Sequence, residues 1–225
     1  MGKNKQVLLR ITGLLGVIGS LSAAGSDIAL SYVPTYVPIS TVKLNIYLFL
    51  QAKPQWRLLF GHYLGILSFP LAVLALWHIY QALKPAGRWL SLPPVLLAGY
   101  GYICGAVWHG AFAYINTGLQ TRDAVSGEAL DLLSRMIDKF NDYFIPLFWI
   151  IFAILLIAFL WFFVLIAFRK TLYPRWVALL SPAAIVIYFW LVSLVLPPAI
   201  SGALWSAGLN IAGVIMFGVS THLLW

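Results

Sequence analysis

The sequence predicts an all-α bundle of six transmembrane helices, forming one integral membrane domain over residues 1–225, and three observations carry that prediction. Only 9% of the residues are charged and 62% are hydrophobic, whereas a soluble domain carries about a quarter charged. Mean hydropathy is +0.94. Apolar runs of about 20 residues, the length that crosses a bilayer, recur along the whole chain with no long polar segment between them.

The runs cover residues 7–30, 58–83, 92–115, 143–168, 176–196 and 199–223. In the first, at about 100° per residue, Gly13, Gly16, Gly19, Ser20, Ala23 and Asp27 share roughly a third of the circumference, with Leu14, Val17, Ile18, Leu21 and Ile28 opposite. Small residues let membrane helices approach closely, so Asp27 is expected to face protein. Lys3, Lys5 and Arg10 ahead of Ser22-Ala23-Ala24 also resemble a secretory signal. The apolar run continues past Ala24, which favours a retained helix.

The net charge of +8 raises nucleic acid as a partner, but the basic residues sit at helix ends rather than in a stripe, and that partner is discarded. The loops 84–88 and 169–175 are short and purely basic, which marks them as cytoplasmic and places both termini inside. Every acid except Asp27 then falls outside.

Residues 31–57, with Tyr32, Pro34, Tyr36 and Pro38 and an apolar patch over 44–50, are expected to be interfacial or re-entrant. In residues 121–142, Leu130, Leu133, Ile137, Phe140 and Phe144 recur at spacings of three and four, predicting an amphipathic outer interfacial helix with Ser126 as its cap and Glu128 at its positive dipole end. Cys104, the single cysteine, leaves no internal disulfide and reads as a packing residue.

Four helices each bring a polar group to the outer half of this bundle: Asp27, His62, His109 and Asn210. Gly101, Gly105 and His109 continue one small face, and Gly202, Ser206, Asn210 and Gly213 continue another, so His109 and Asn210 are expected to point inward. His62 sits at the edge of the small face of its helix. Asn116, Tyr63, Tyr114 and Asp142 lie at similar depth. An ionisable group at membrane depth is costly and marks a functional site, although these groups could also do no more than bond one another and set helix register.

Asp27, His62 and His109 are a donor set that suits zinc and metal-assisted hydrolysis, but no tight metal-binding spacing accompanies them. Haem lacks paired ligands on one helix face, since His62 and His78 lie about 160° apart; an axial pair would need His62 with His109, or His78 with His222. His78 and His222 read as wet residues near the inner boundary. No nucleophile elbow or phosphate loop occurs.

Gln55-Trp56-Arg57-Leu58, the Gly61 and Gly65 pair, Lys84-Pro85-Ala86-Gly87-Arg88-Trp89 and Trp108-His109 together resemble an uncharacterised family of polytopic bacterial membrane proteins. That resemblance implies a bacterial cytoplasmic membrane, a Gly-Asp pair closing the first helix, which maps to Asp27 although Ser26 precedes it here, and a third-helix histidine at His109. It implies no activity.

The expectation is therefore a protein that binds or handles a small apolar molecule or lipid in an outward-facing pocket, with Asp27, His109, Asn210 and His62 as ligand-binding residues. The alternatives are a metal-dependent membrane hydrolase and a proton-coupled transporter. Membrane lipid is the expected partner, and dimerisation would enlarge a pathway.

Overall fold

A computed structural model describes residues 2–32, 54–122 and 124–225. Every regular element among them is helical: α1 Lys3–Ser31, α2 Gln55–Leu83, α3 Arg88–Arg122, α4 Gly127–Phe168, α5 Pro182–Ser193 and α6 Pro198–Leu224, with short 3-10 helices at Lys84–Ala86 and Arg175–Leu180. The patch over 44–50 expected to be interfacial or re-entrant lies outside the described residues.

Five of the helices are long and apolar enough to cross a membrane, which is compatible with an integral membrane protein. Large apolar side chains line the outer surface; Leu21, Leu67, Leu96 and Val107 are each more than 60% exposed. The fifth expected span does not form one long helix. Ser181 ends a 3-10 helix and its Oγ accepts the Ala184 N–H at 3.4 Å, while Pro182 starts the 12-residue α5. Ser181 is extended there (φ −63°, ψ 149°), and Pro182, which lacks a backbone donor, takes the favoured first-turn position of the new helix. The apolar run that looks continuous is divided at Ser181, whereas Pro70 and Pro146 are accommodated inside α2 and α4.

From α1 to α4 each helix runs antiparallel to the one before, α2 and α3 meeting at Gly65 with His109 and at Leu76 with Gly99. On α1 and α2, Leu30 lies against Gly61 and Leu9 against His78; on α3 and α4, Gly118 meets Ile137 and Gly101 meets Leu155. α6 returns to α1, with Gly13 at Thr221 and Gly213 at Ser20. Both chain ends thus lie together: Gln6 Nε2 donates to the Trp225 main-chain oxygen at 3.2 Å, and the Arg10 guanidinium sits 4.8 Å from the Trp225 ring centre. The link Leu172 N–H to Ala82 C=O, at 2.9 Å, brings the 169–174 loop to that same end.

At the opposite end, Arg57 Nη2 donates to the carbonyls of Ile28 (2.7 Å) and Tyr32 (2.8 Å). These carbonyls lie at the negative end of α1, where a cation is stabilised; that of Ile28 also accepts the Tyr32 N–H at 3.2 Å.

The amphipathic segment 121–142 differs from expectation as well. Residues 121–122 end α3, and 127–142 begin α4, a continuous helix of 42 residues and so about 63 Å long, roughly twice a hydrocarbon core. Its apolar stripe covers α3: Ile137, Asn141 and Phe144 are buried, with Leu30, Leu58, Phe112, Ile115 and Leu119 completing that cluster. Packing along α3 replaces lying flat on an interface. Ser126 occupies the N-cap position without a side-chain bond, and Glu128 sits in the first turn.

Close approach of α1 and α6 depends on Gly16, where any Cβ would overlap the Phe217 ring. Gly16→Leu is expected to lower the midpoint of thermal unfolding in detergent, in keeping with the 1–3 kcal/mol typical of overpacking. Gly218→Ala, whose Cβ meets nothing within 4 Å, should leave it unchanged.

Candidate functional site

Three helices meet at Asp27. Its Oδ1 lies 3.0 Å from His109 Nε2 on α3, and its Oδ2 accepts Asn210 Nδ2–H from α6 at 2.6 Å. The Asp27 and His109 side chains are 13% and 6% exposed. Asp27, His109 and Asn210 therefore converge as the sequence predicts.

The histidine is held on every side. Its Nδ1 is 2.9 Å from the Gly105 carbonyl, and a carbonyl only accepts, so Nδ1 carries hydrogen. Phe69, Trp108 and Phe112 surround the ring at centroid distances of 5.0, 5.3 and 6.2 Å. On the remaining side lies Gly65, where a Cβ would come within 2.5 Å of the imidazole and 2.6 Å of Ser26 Oγ. Ser26 in turn donates to the Gly61 carbonyl at 2.6 Å. Glycine at 65 is thus the condition for α2 to pass the pair.

With Nδ1 committed to Gly105, Nε2 is the nitrogen that faces Asp27, across the 3.0 Å contact. Asn210 Nδ2 donates to the other carboxyl oxygen, so both oxygens of Asp27 have a partner from another helix.

His62 is not part of this centre. Its ring stacks edge-on against Tyr63 at 5.0 Å, and its buried Nδ1 has no hydrogen-bond partner among the described residues. Among the described residues no group of three or more His, Cys, Asp or Glu is placed to hold a metal ion, so Asp27, His62 and His109 are not gathered as a ligand set. Tyr63 and Tyr114 point outward, at 60% and 71% exposure. Asn116 is buried with Oδ1 unpartnered, as is Asn141 Oδ1.

A second polar cluster, not foreseen from sequence, lies near the end that holds the termini. His78 is not a wet boundary residue; it is 1% exposed. Its Nδ1 is 2.9 Å from the Leu9 carbonyl and so donates, and its Nε2 is 2.7 Å from Ser220 Oγ. Ser220 Oγ also lies 2.6 Å from the Tyr173 hydroxyl. A neutral imidazole accepts the serine O–H and leaves the serine oxygen to accept from tyrosine. Burial pushes the Tyr173 phenol well above its usual range, partly offset by the Ser220 bond, so it remains a donor. Both nitrogens of His78 are committed, while His222 is exposed.

A family model described as a family of unknown function, DUF6796, matches residues 1–224. The chain belongs to that family. No curated protein and no solved structure matches it. Membership agrees with the resemblance read from the first half of the chain, in that the family is uncharacterised.

A double-mutant cycle of Asp27→Asn and His109→Ala, read by thermal unfolding, should show coupling of about 0.6–1.7 kcal/mol, the range for hydrogen bonds between membrane helices. Strict additivity would mean that the contact carries no energy. In the second cluster, Ser220→Ala strands both Tyr173 O–H and His78 Nε2, whereas Tyr173→Phe removes one donor and strands nothing essential. The alanine variant should therefore lose more stability than the phenylalanine variant, which should lose about 0.5–1.5 kcal/mol.

Proposed function

We propose that this is an integral protein of a bacterial cytoplasmic membrane, crossing it six times with both termini inside, and that it binds or handles a small molecule or lipid through an outward-facing centre at Asp27, His109 and Asn210. Neighbouring chain ends require an even number of crossings when successive helices alternate direction. The Arg175–Leu180 3-10 helix and α5 together rise about 30 Å if stacked end to end, enough for the sixth crossing. Lys3, Lys5, Arg10, Lys84, Arg88, Arg169, Lys170 and Arg175 gather at the end with the termini, and Glu128, Asp131, Asp138 and Asp142 at the other. That division follows the positive-inside rule.

The observation that carries the functional reading is the Asp27 carboxylate bound by two different helices inside an apolar bundle. A ligand hydroxyl or amine can replace either protein donor without leaving the acid bare. Ser20 and Ser26, both buried, continue the polar side of α1 next to it. His62, on α2 at the same end and with Nδ1 unpartnered among the described residues, is a further contact for such a ligand.

Proton-coupled transport is the second reading, favoured by the direct 3.0 Å contact between a carboxyl group and an imidazole inside the bundle. The hydrolase reading has no three-ligand grouping among the described residues to support it.

Native mass spectrometry of detergent-purified protein tests the first reading. A co-purified small molecule or lipid is expected on the wild-type chain and absent from both Asp27→Asn and His109→Ala. Identical spectra for all three proteins would remove the centre from ligand binding. Acidification of proteoliposomes, dependent on Asp27, would move the second reading ahead.

A further inference from the structure

A groove of about 580 Å³ runs along the outer surface between α1 and α6, lined by Leu14, Val17, Gly218, Thr221, His222 and Trp225. It lies at the end where the termini meet. Gly218 forms part of its floor, since a Cβ there would meet nothing within 4 Å. The lining is almost wholly apolar, and Val17 is about 10 Å along α1 from Arg10, so the groove leads from a charged rim into apolar depth.

Arg10 marks that rim. Its guanidinium lies over the Trp225 ring, and its buried Nε has no hydrogen-bond partner among the described residues. Eight lysines and arginines belong to this end, and the acidic side chains among the described residues lie elsewhere: Asp27 against His109, and Glu128, Asp131, Asp138 and Asp142 on α4. Among the described residues this end therefore presents cationic side chains with no acidic side chain to answer them. Arginine recognises phosphate through paired N–H donors, and tryptophan favours the level of lipid headgroups.

We propose that this groove is a binding site for an anionic phospholipid of the cytoplasmic leaflet, its phosphate at Arg10 and one acyl chain laid over Gly218 between α1 and α6. The basic end selects negative headgroups, and Arg10 fixes the phosphate. The absent side chain at 218 makes room for the chain. The site is separate from the Asp27 centre, which lies about 25 Å further along α1; it rests only on the membrane placement proposed above.

The test uses delipidated, detergent-solubilised full-length protein, titrated with dioleoyl phosphatidylglycerol or dioleoyl phosphatidylcholine and read by native mass spectrometry. The wild type should retain phosphatidylglycerol preferentially. Arg10→Gln should reduce that preference about fivefold, the weight of one basic residue at an anionic surface. Gly218→Leu should weaken retention of both lipids while leaving lipid-free thermal unfolding unchanged.

Equal retention of the two lipids, an undiminished preference in Arg10→Gln, or wild-type binding by Gly218→Leu would each overturn the proposal. So would a dimer that Gly218→Leu dissociates, because a second copy would then be the occupant. A chain that stays soluble without detergent would instead overturn the membrane placement itself.

Discussion

The 3.0 Å contact between Asp27 and His109 is the constraint to which the rest of this bundle conforms. A carboxyl group inside an apolar assembly needs donors, and a histidine that serves it must have its own second nitrogen and both ring faces accounted for. The chain meets each requirement from a different place. The Gly105 carbonyl orients the ring, Phe69 and Phe112 enclose it, Gly65 clears space for it, and Asn210 completes the carboxylate. Four helices are thereby tied to one another at a single depth.

The second polar cluster plays the same part near the other end. His78 joins α2 to α1 through Leu9 and to α6 through Ser220, and Tyr173 brings in the loop after α4. α1, α2 and α6 are therefore pinned at both ends by polar contacts, with small residues such as Gly16, Gly19 and Gly213 allowing close packing between. Directional hydrogen bonds set the register of helices whose apolar packing alone would tolerate sliding. The two histidines use one device: Nδ1 donates to a backbone carbonyl, which leaves Nε2 to face a side-chain oxygen.

Much of this was legible in the sequence where it depended on periodicity. Asp27, His109 and Asn210 each sit on a stripe of small residues, and small stripes are where membrane helices touch, so their convergence could be read before any coordinates. His62 lies at the edge of its stripe, and there the pattern does not say which neighbour it meets. His78 was obscured for another reason: α2 packs between α1 and α3, so opposite faces are both covered and a residue about 160° from His62 is buried too. Ser220 and Tyr173 carry no local mark at all, being one serine among many and a loop tyrosine. Hydropathy likewise passes over the Ser181-Pro182 break, because proline interrupts backbone bonding without interrupting an apolar run. The amphipathic pattern of 121–142 was real, but periodicity reports which face is buried and not the angle at which a helix continues.

The pairing of α6 with α1 has a consequence for how the chain is made. Asn210 follows Asp27 by 183 residues, and at ribosomal speeds of about 5–20 residues per second the acid waits roughly 10–40 s for its last donor. His109 arrives sooner, but still only with the third helix. Through that interval the nascent α1 carries an aspartate with an incomplete set of hydrogen-bond partners. His78 likewise waits for Ser220, 142 residues later. Both polar clusters are thus completed only when α6 docks, since it supplies one missing hydrogen-bonding group to each.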